Sequence, residues 1–149
     1  MHRRNILAGA FAAAGALFSA AVKTARADPA KPDRAKVAYH LCDLDKVDFV
    51  LGNIRNHFVG MGGADKVTIA LVVHGPALKA FHSASAGPDL ARRVEEFSRS
   101  GVELSACGNT MRAQNVTVKN LLPGFVGAEQ GGVVRLAELQ SEGYAYLRP

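Results

Sequence analysis

The sequence predicts an α/β fold built on a doubly wound, mostly parallel sheet of about five strands. Two observations carry this. Short apolar or alternating runs take turns along the chain with longer runs in which apolar residues recur every three or four positions. The run at 67–73, Val-Thr-Ile-Ala-Leu-Val-Val, is nearly all apolar, as a central parallel strand buried on both faces must be.

The elements follow in order. A first strand is expected at 36–41, where Val37, Tyr39 and Leu41 alternate with Ala38 and His40. Asp43 or Asp45 is expected to cap a helix carrying Val47, Val50, Leu51, Ile54, Phe58 and Met61 on one face, with Gly60 to Gly63 as its stop. The strand at 67–73 breaks at His74-Gly75-Pro76, a short helix fits 76–81, and 82–87 reads as a loop. Pro88 then opens a helix with Leu90, Val94 and Phe97 inward, ending at Gly101.

The stretch 101–111 is the most informative. Val102, Leu104 and Ala106 share one strand face and the strand runs into Cys107; Gly108 and Asn109 are expected to stop it and Thr110 to cap a helical turn. Short helical pieces at 111–114 and 119–122 lead to Pro123-Gly124, a brief fourth strand at 125–126, a helix at 133–141 after Gly131-Gly132, and a last strand at 144–147.

Composition places this domain behind a leader. The net charge of +5 suggests an acidic partner, but Arg3, Arg4, Lys23 and Arg26 stand in the first 27 residues with no acid among them, so the rest is close to neutral. Nucleic acid is therefore not expected as a partner. Two arginines, an uncharged run from Asn5 to Val22 and the small-x-small box Ala25-Arg26-Ala27 read as an export signal cleaved after Ala27. Arg3-Arg4 resembles a twin-arginine signal, with His2 where serine or threonine is usual. The alternative is an uncleaved anchor, since the apolar run is near the lower limit for a membrane span; no later segment could cross a bilayer. The expected organisation is a signal peptide at 1–27, a proline-containing tether at 28–36 and one domain at 37–149, located in the periplasm.

Cys107 has two readings. Free cysteine is among the most buried residue types, so a core position is one. The other is a reactive thiol at the carboxyl end of a strand, where open α/β sheets bind ligands and where the N–H groups of Gly108, Asn109 and Thr110 would favour a thiolate. With the common strand order 2-1-3-4-5, Cys42 would share that edge on the neighbouring strand, as a resolving thiol or as a turn residue that never approaches. His74 would lie about 10 Å away, two strands off, in a minor accessory role. His40 is expected to be packed or partnered, and His57 and His82 to lie on the surface. No metal or cofactor is expected: no pair has tight zinc-ligand spacing, and Cys42, His40 and His74 form the one conceivable set. The phosphate-loop, dinucleotide, nucleophile-elbow and Cys-x-x-Cys patterns are missing.

Several stretches together resemble the DsrE/DsrF-like sulfur-relay family, in its small exported branch, from Val37 to Pro149. They are residues 49–57 (Phe-Val-Leu-Gly-Asn-Ile-Arg-Asn-His), 71–76 (Leu-Val-Val-His-Gly-Pro), 101–111 around Cys107, 121–125 (Leu-Leu-Pro-Gly-Phe) and 138–146 (Glu-Leu-Gln-Ser-Glu-Gly-Tyr-Ala-Tyr). The resemblance implies a three-layer flavodoxin-like fold, assembly into trimers or hexamers, and a cysteine after the third strand that carries sulfur as a persulfide. Only Cys107 matches that position. The chain departs from the relay members in standing alone behind an export leader. Two functions are therefore expected: a carrier passing sulfane sulfur from an unidentified donor to an acceptor thiol, or a non-catalytic oligomeric module binding a small ligand in the same place.

Overall fold

A computed structural model describes residues 34–149. The leader and most of the tether lie outside them. The described chain forms five strands and four α-helices: β1 (Ala35–Leu41), α1 (Val47–Met61), β2 (Val67–Val73), α2 (Pro88–Arg99), β3 (Glu103–Cys107), α3 (Gly108–Ala113), β4 (Phe125–Ala128), α4 (Gly132–Ser141) and β5 (Ala145–Leu147). Short 3-10 turns join them at Leu44–Lys46, Ala64–Lys66, Gly75–Phe81 and Val118–Asn120.

All strands are parallel, in the order β4-β3-β2-β1-β5. The α/β class and the parallel five-stranded sheet are as the sequence predicts; the order 2-1-3-4-5 is not. From β1 to β4 each connection steps to the next position in the same direction. Only α4 reverses, crossing the opposite face over β3, β2 and β1 to set β5 beside β1. As a result β2 separates β1 from β3, and Cys42 is not on the strand beside Cys107. His74, just past β2, is the neighbour instead.

The two sheet faces differ in what they bury. Val37, Tyr39 and Leu41 of β1, Ile69, Leu71 and Val73 of β2, and Leu104 and Ala106 of β3 point into one large core with α1, α2 and Met111 of α3. Phe81 and Leu78, fully buried, fill it from the Gly75–Phe81 turn. On the other face the apolar core is Ala38, Ala70 and Val72 against Leu136 and Leu139 of α4.

Local details depart from expectation where polar groups found better partners. Neither Asp43 nor Asp45 caps α1 through its side chain: the Asp43 carbonyl accepts from Lys46 N–H (3.1 Å) and its carboxylate pairs with Arg148 (3.1 Å). Met61 is exposed, because it is the last residue of α1 before left-handed Gly62 turns the chain. Gly108 and Asn109 do not stop β3 in a loop; they begin α3, with Cys107 itself in the N-cap position rather than Thr110. The helical piece expected at 119–122 is the Val118–Asn120 turn; Leu121 is extended, and Leu121 and Leu122 are both buried.

Candidate functional site

Cys107 ends β3 where the chain leaves the sheet toward one face, and on the adjoining strand β4 the chain leaves toward the other. Such a switch point opens a crevice between helix amino termini. By the period of two, Glu103, Ser105 and Cys107 face α4, opposite Leu104 and Ala106. Cys107 is 6% exposed.

Glycines bring the surrounding backbone close. A β-carbon on Gly132, the first residue of α4, would lie 3.2 Å from Cys107 Cβ, 3.3 Å from His74 Cβ and 3.4 Å from Val72 Cγ1. One on Gly108 would stand 2.7 Å from the carbonyl oxygen of Glu129, in the loop that crosses over the site. The thiol consequently sits at the start of α3 and against the start of α4, with the Thr110 hydroxyl and the N–H groups of Gly132, Thr110 and Asn109 as the donors around it. Burial pushes the thiol's pKa up, but these donors outweigh it and hold the group below its ordinary value.

Asn109 and Thr110 follow Cys107 in the first turn of α3, and Gly108 packs against the backbone of Ala128 and Glu129. Gly132 was not expected beside Cys107. Its only sequence signal is the Gly131-Gly132 pair opening a helix just after a strand, a pattern that also fits an ordinary turn.

His74 stands beside Cys107, one strand away rather than two. Its Nε2 meets Nε2 of His40, whose ring stacks on it at 4.6 Å, and His40 Nδ1 pairs with the Tyr146 hydroxyl at 2.6 Å. Tyr146, His40, His74 and Cys107 therefore form a row across β5, β1, β2 and β3. Burial first, then His74 and Arg148, lower the His40 pKa from 6.5 to about 4, against an opposing pull from Asp43. Burial and Arg148 lower that of His74 as well. Both shifts favour the neutral forms of the two rings.

Cys42 is half-buried on the far side of Gly75, its Sγ 3.1 Å from where a Gly75 β-carbon would stand. Both cysteines are free. His57 and His82 are half-buried and partnered rather than plain surface groups: Nδ1 of His57 meets the Tyr39 hydroxyl (2.9 Å) and Nε2 of His82 meets Oε1 of Gln114 (2.8 Å). Among the described residues no three of His, Cys, Asp or Glu are grouped to hold a metal ion, the set of Cys42, His40 and His74 included. Below the thiol, Glu103 is gripped by Arg135 of α4 through two 2.9 Å bonds and accepts from Ser105 (2.7 Å). An open groove of about 270 Å³ runs alongside, between residues 127–131 and Val134, Arg135 and Glu138 of α4.

With the thiol at the end of the third strand of this sheet, the model of the DsrE/DsrF-like family matches residues 48–149. The chain belongs to the DsrE/DsrF-like family. Solved structures agree with the fold. A protein of unknown function from Methanobacterium thermoautotrophicum, MTH1491, is 27% identical, with a TM-score of 0.68 over 77% of this chain and 99% of its own. The ychN protein of E. coli superposes with a TM-score of 0.59 at 13% identity, covering 78% of this chain and 99% of its own. BT1422 of Bacteroides thetaiotaomicron, a conserved protein of unknown function, gives 0.57 at 19% identity, over 76% and 94%. No curated protein matches the chain significantly. No helix of the described residues of this DsrE/DsrF-like protein is long and apolar enough to cross a membrane.

Proposed function

We propose that this DsrE/DsrF-like protein is an exported sulfur carrier and that Cys107 holds sulfane sulfur as a persulfide. The observation that carries this reading is the place of Cys107, a free cysteine ending β3 at the N-cap of α3 and packed against Gly132 at the start of α4, in a chain of this family. In the proposed step the Cys107 thiolate attacks the outer sulfur of a donor persulfide R–S–SH. The Cys107–sulfur bond forms, the donor's S–S bond breaks, and R–S⁻ leaves with the proton that Cys107 gave up. An acceptor thiolate then takes the outer sulfur and returns Cys107 as thiolate. Asn109, Thr110 and Gly132 hold the negative charge at each stage, and His74 is an accessory beside them. Cys42, beyond Gly75, takes no part.

Export rests on the leader and a periplasmic location on its twin-arginine form: removal after Ala27 is expected, and lysine in place of both Arg3 and Arg4 should block it. The working form is a homo-oligomer, a trimer or hexamer, to be checked by light scattering.

The low exposure of Cys107 favours a second reading, a non-catalytic oligomeric module that binds a small ligand at this edge of the sheet with Cys107 as lining. One experiment separates the two. After exposure to polysulfide, intact mass spectrometry should show one added sulfur atom, removed by a reductant, in the wild type and in Cys42→Ser but not in Cys107→Ser. A wild type that stays at its unmodified mass would leave the binding module.

A further inference from the structure

Three neighbouring strands bring His40, His74 and Tyr146 to one place. Ala38 and Val72 lie on the α4 face, so His40, two residues on in β1, and His74, two residues on and just past β2, project to that face as well. Tyr146 of β5 stands level with Ala38 in the β1–β5 register and shares the face. The two histidine rings touch through their Nε2 atoms with ring planes 20° apart, so their in-plane lone pairs are aimed into the same space. Behind His40 its other nitrogen, Nδ1, is held by the Tyr146 hydroxyl at 2.6 Å. An imidazole that ligates a metal is fixed in this way, by a partner on the nitrogen that does not bind. Binding an ion there releases no proton. Each neutral ring can carry its hydrogen on Nδ1, where at His40 it is donated to the Tyr146 oxygen, and both Nε2 lone pairs are then free. Burial first, with Arg148 adding to it, disfavours a second proton on either ring.

Two donors select the ion. Zinc takes four ligands, and among the described residues no third His, Cys, Asp or Glu is grouped with this pair. Monovalent copper is satisfied by two imidazoles on opposite sides of it, and its single charge suits a site near Arg148, whose own charge Asp43 balances at 3.1 Å. Both rings are half-buried at the ends of their strands, with room to part as the ion enters between them. We propose that His40 and His74 form a two-coordinate Cu(I) site, oriented by Tyr146 and reached past the exposed edge strand β5. The site is separate from the chemistry of Cys107 and stands whether or not that thiol carries sulfur.

The test is Cu(I) binding by the untagged full chain under anaerobic conditions, read as the copper withheld from bicinchoninate, with Cys42→Ser and Cys107→Ser introduced together so that no thiol competes. One copper per chain should be withheld. His40→Gln and His74→Gln should each abolish this, His57→Gln should leave it unchanged, and Tyr146→Phe should weaken the affinity about tenfold by removing the bond that orients His40. Loss on Tyr146→Phe separates a built site from two histidines that are merely near. No copper withheld by the parent, or as much withheld by the folded His40→Gln or His74→Gln variant, overturns the proposal. Should the cysteine-free chain fail to fold, X-ray absorption at the copper edge of the wild type loaded with one equivalent decides: two imidazole nitrogens around the copper support the site, and any other set of neighbours overturns it.

Discussion

The two faces of the sheet have the same strands and opposite occupations. The face under α1 and α2 is almost all apolar and includes the fully buried Phe81, Leu51, Ile54 and Leu71. The α4 face has a core of five small or medium side chains, and the same strands present Glu103, Ser105, Cys107, His40 and His74 there. Alternation along a strand makes this division possible, since neighbouring residues serve opposite faces without compromise. What it teaches is that the fold is stabilised on one side and used on the other. Polar and titratable groups on the α4 face are tolerated because the opposing face supplies the burial.

If that division is right, the largest loss of stability comes from the face without chemistry. Phe81→Ala removes a ring that is 0% exposed and packs edge-on against Phe125 at 5.1 Å, and should cost about 3–5 kcal/mol in denaturant unfolding. In the fraction that remains folded, the midpoint of the rate–pH profile for Cys107 alkylation by iodoacetamide should be unchanged. A moved midpoint would show that the faces are coupled through the strands.

On the α4 face a single replacement should cost less and be read in acid as well. Burial raises the Glu103 pKa, but hydrogen bonds from Arg135 and Ser105 bring it below the usual carboxylate value, so its ionised form stabilises the fold above about pH 4.5 and that contribution is lost as pH falls further. Arg135→Met should lower stability at pH 7 by about 1–2 kcal/mol, the pair being partly solvent-screened, and should shrink the difference between pH 7 and pH 3. A variant as acid-sensitive as the wild type would place the carboxylate's stabilisation elsewhere.

The smallest effect belongs to the histidine row. Folding lowers the pKa of both His40 and His74, so below about pH 6.5 the unfolded chain takes up protons that the folded chain refuses. The neutral pair contributes fully above 6.5 and its contribution declines as pH falls toward about 4, with Tyr146, Asp43 and Arg148 as the facing groups. Denaturant midpoints should therefore drop between pH 7.5 and pH 5, and His40→Gln should flatten the slope. An unflattened slope would remove the pair as its source.

How much of this could be read from the sequence depended on the range of the interaction. Strand and helix positions were legible because period and turn residues are local: Val67–Val73 and Pro88–Arg99 end where their own residues say. Cys107 was legible for the same reason, at the junction of an alternating run with turn-formers. The strand order was not, because it depends on which connection reverses, and nothing in β1 or β3 encodes that α4 is the one. That one choice misplaced both partners, setting Cys42 next to Cys107 and His74 too far away. The approach of Gly132 to a residue 25 positions earlier was likewise hidden, as was the grip of Thr110 and Gln114 on Gly75.

The closeness of α4 to the sheet has a mechanical consequence. Gly132, Ala38 and Ala70 leave almost no thickness between the two layers, so the helix is a stop against which the thiol is gauged. Packing volume and the site are therefore in series: the two methyl groups that Ala70→Val adds under the helix would lift α4 and draw Gly132 away from Cys107 without touching any residue of the site. The small side chains of that face act as spacers, and their size sets how closely the start of α4 approaches Cys107.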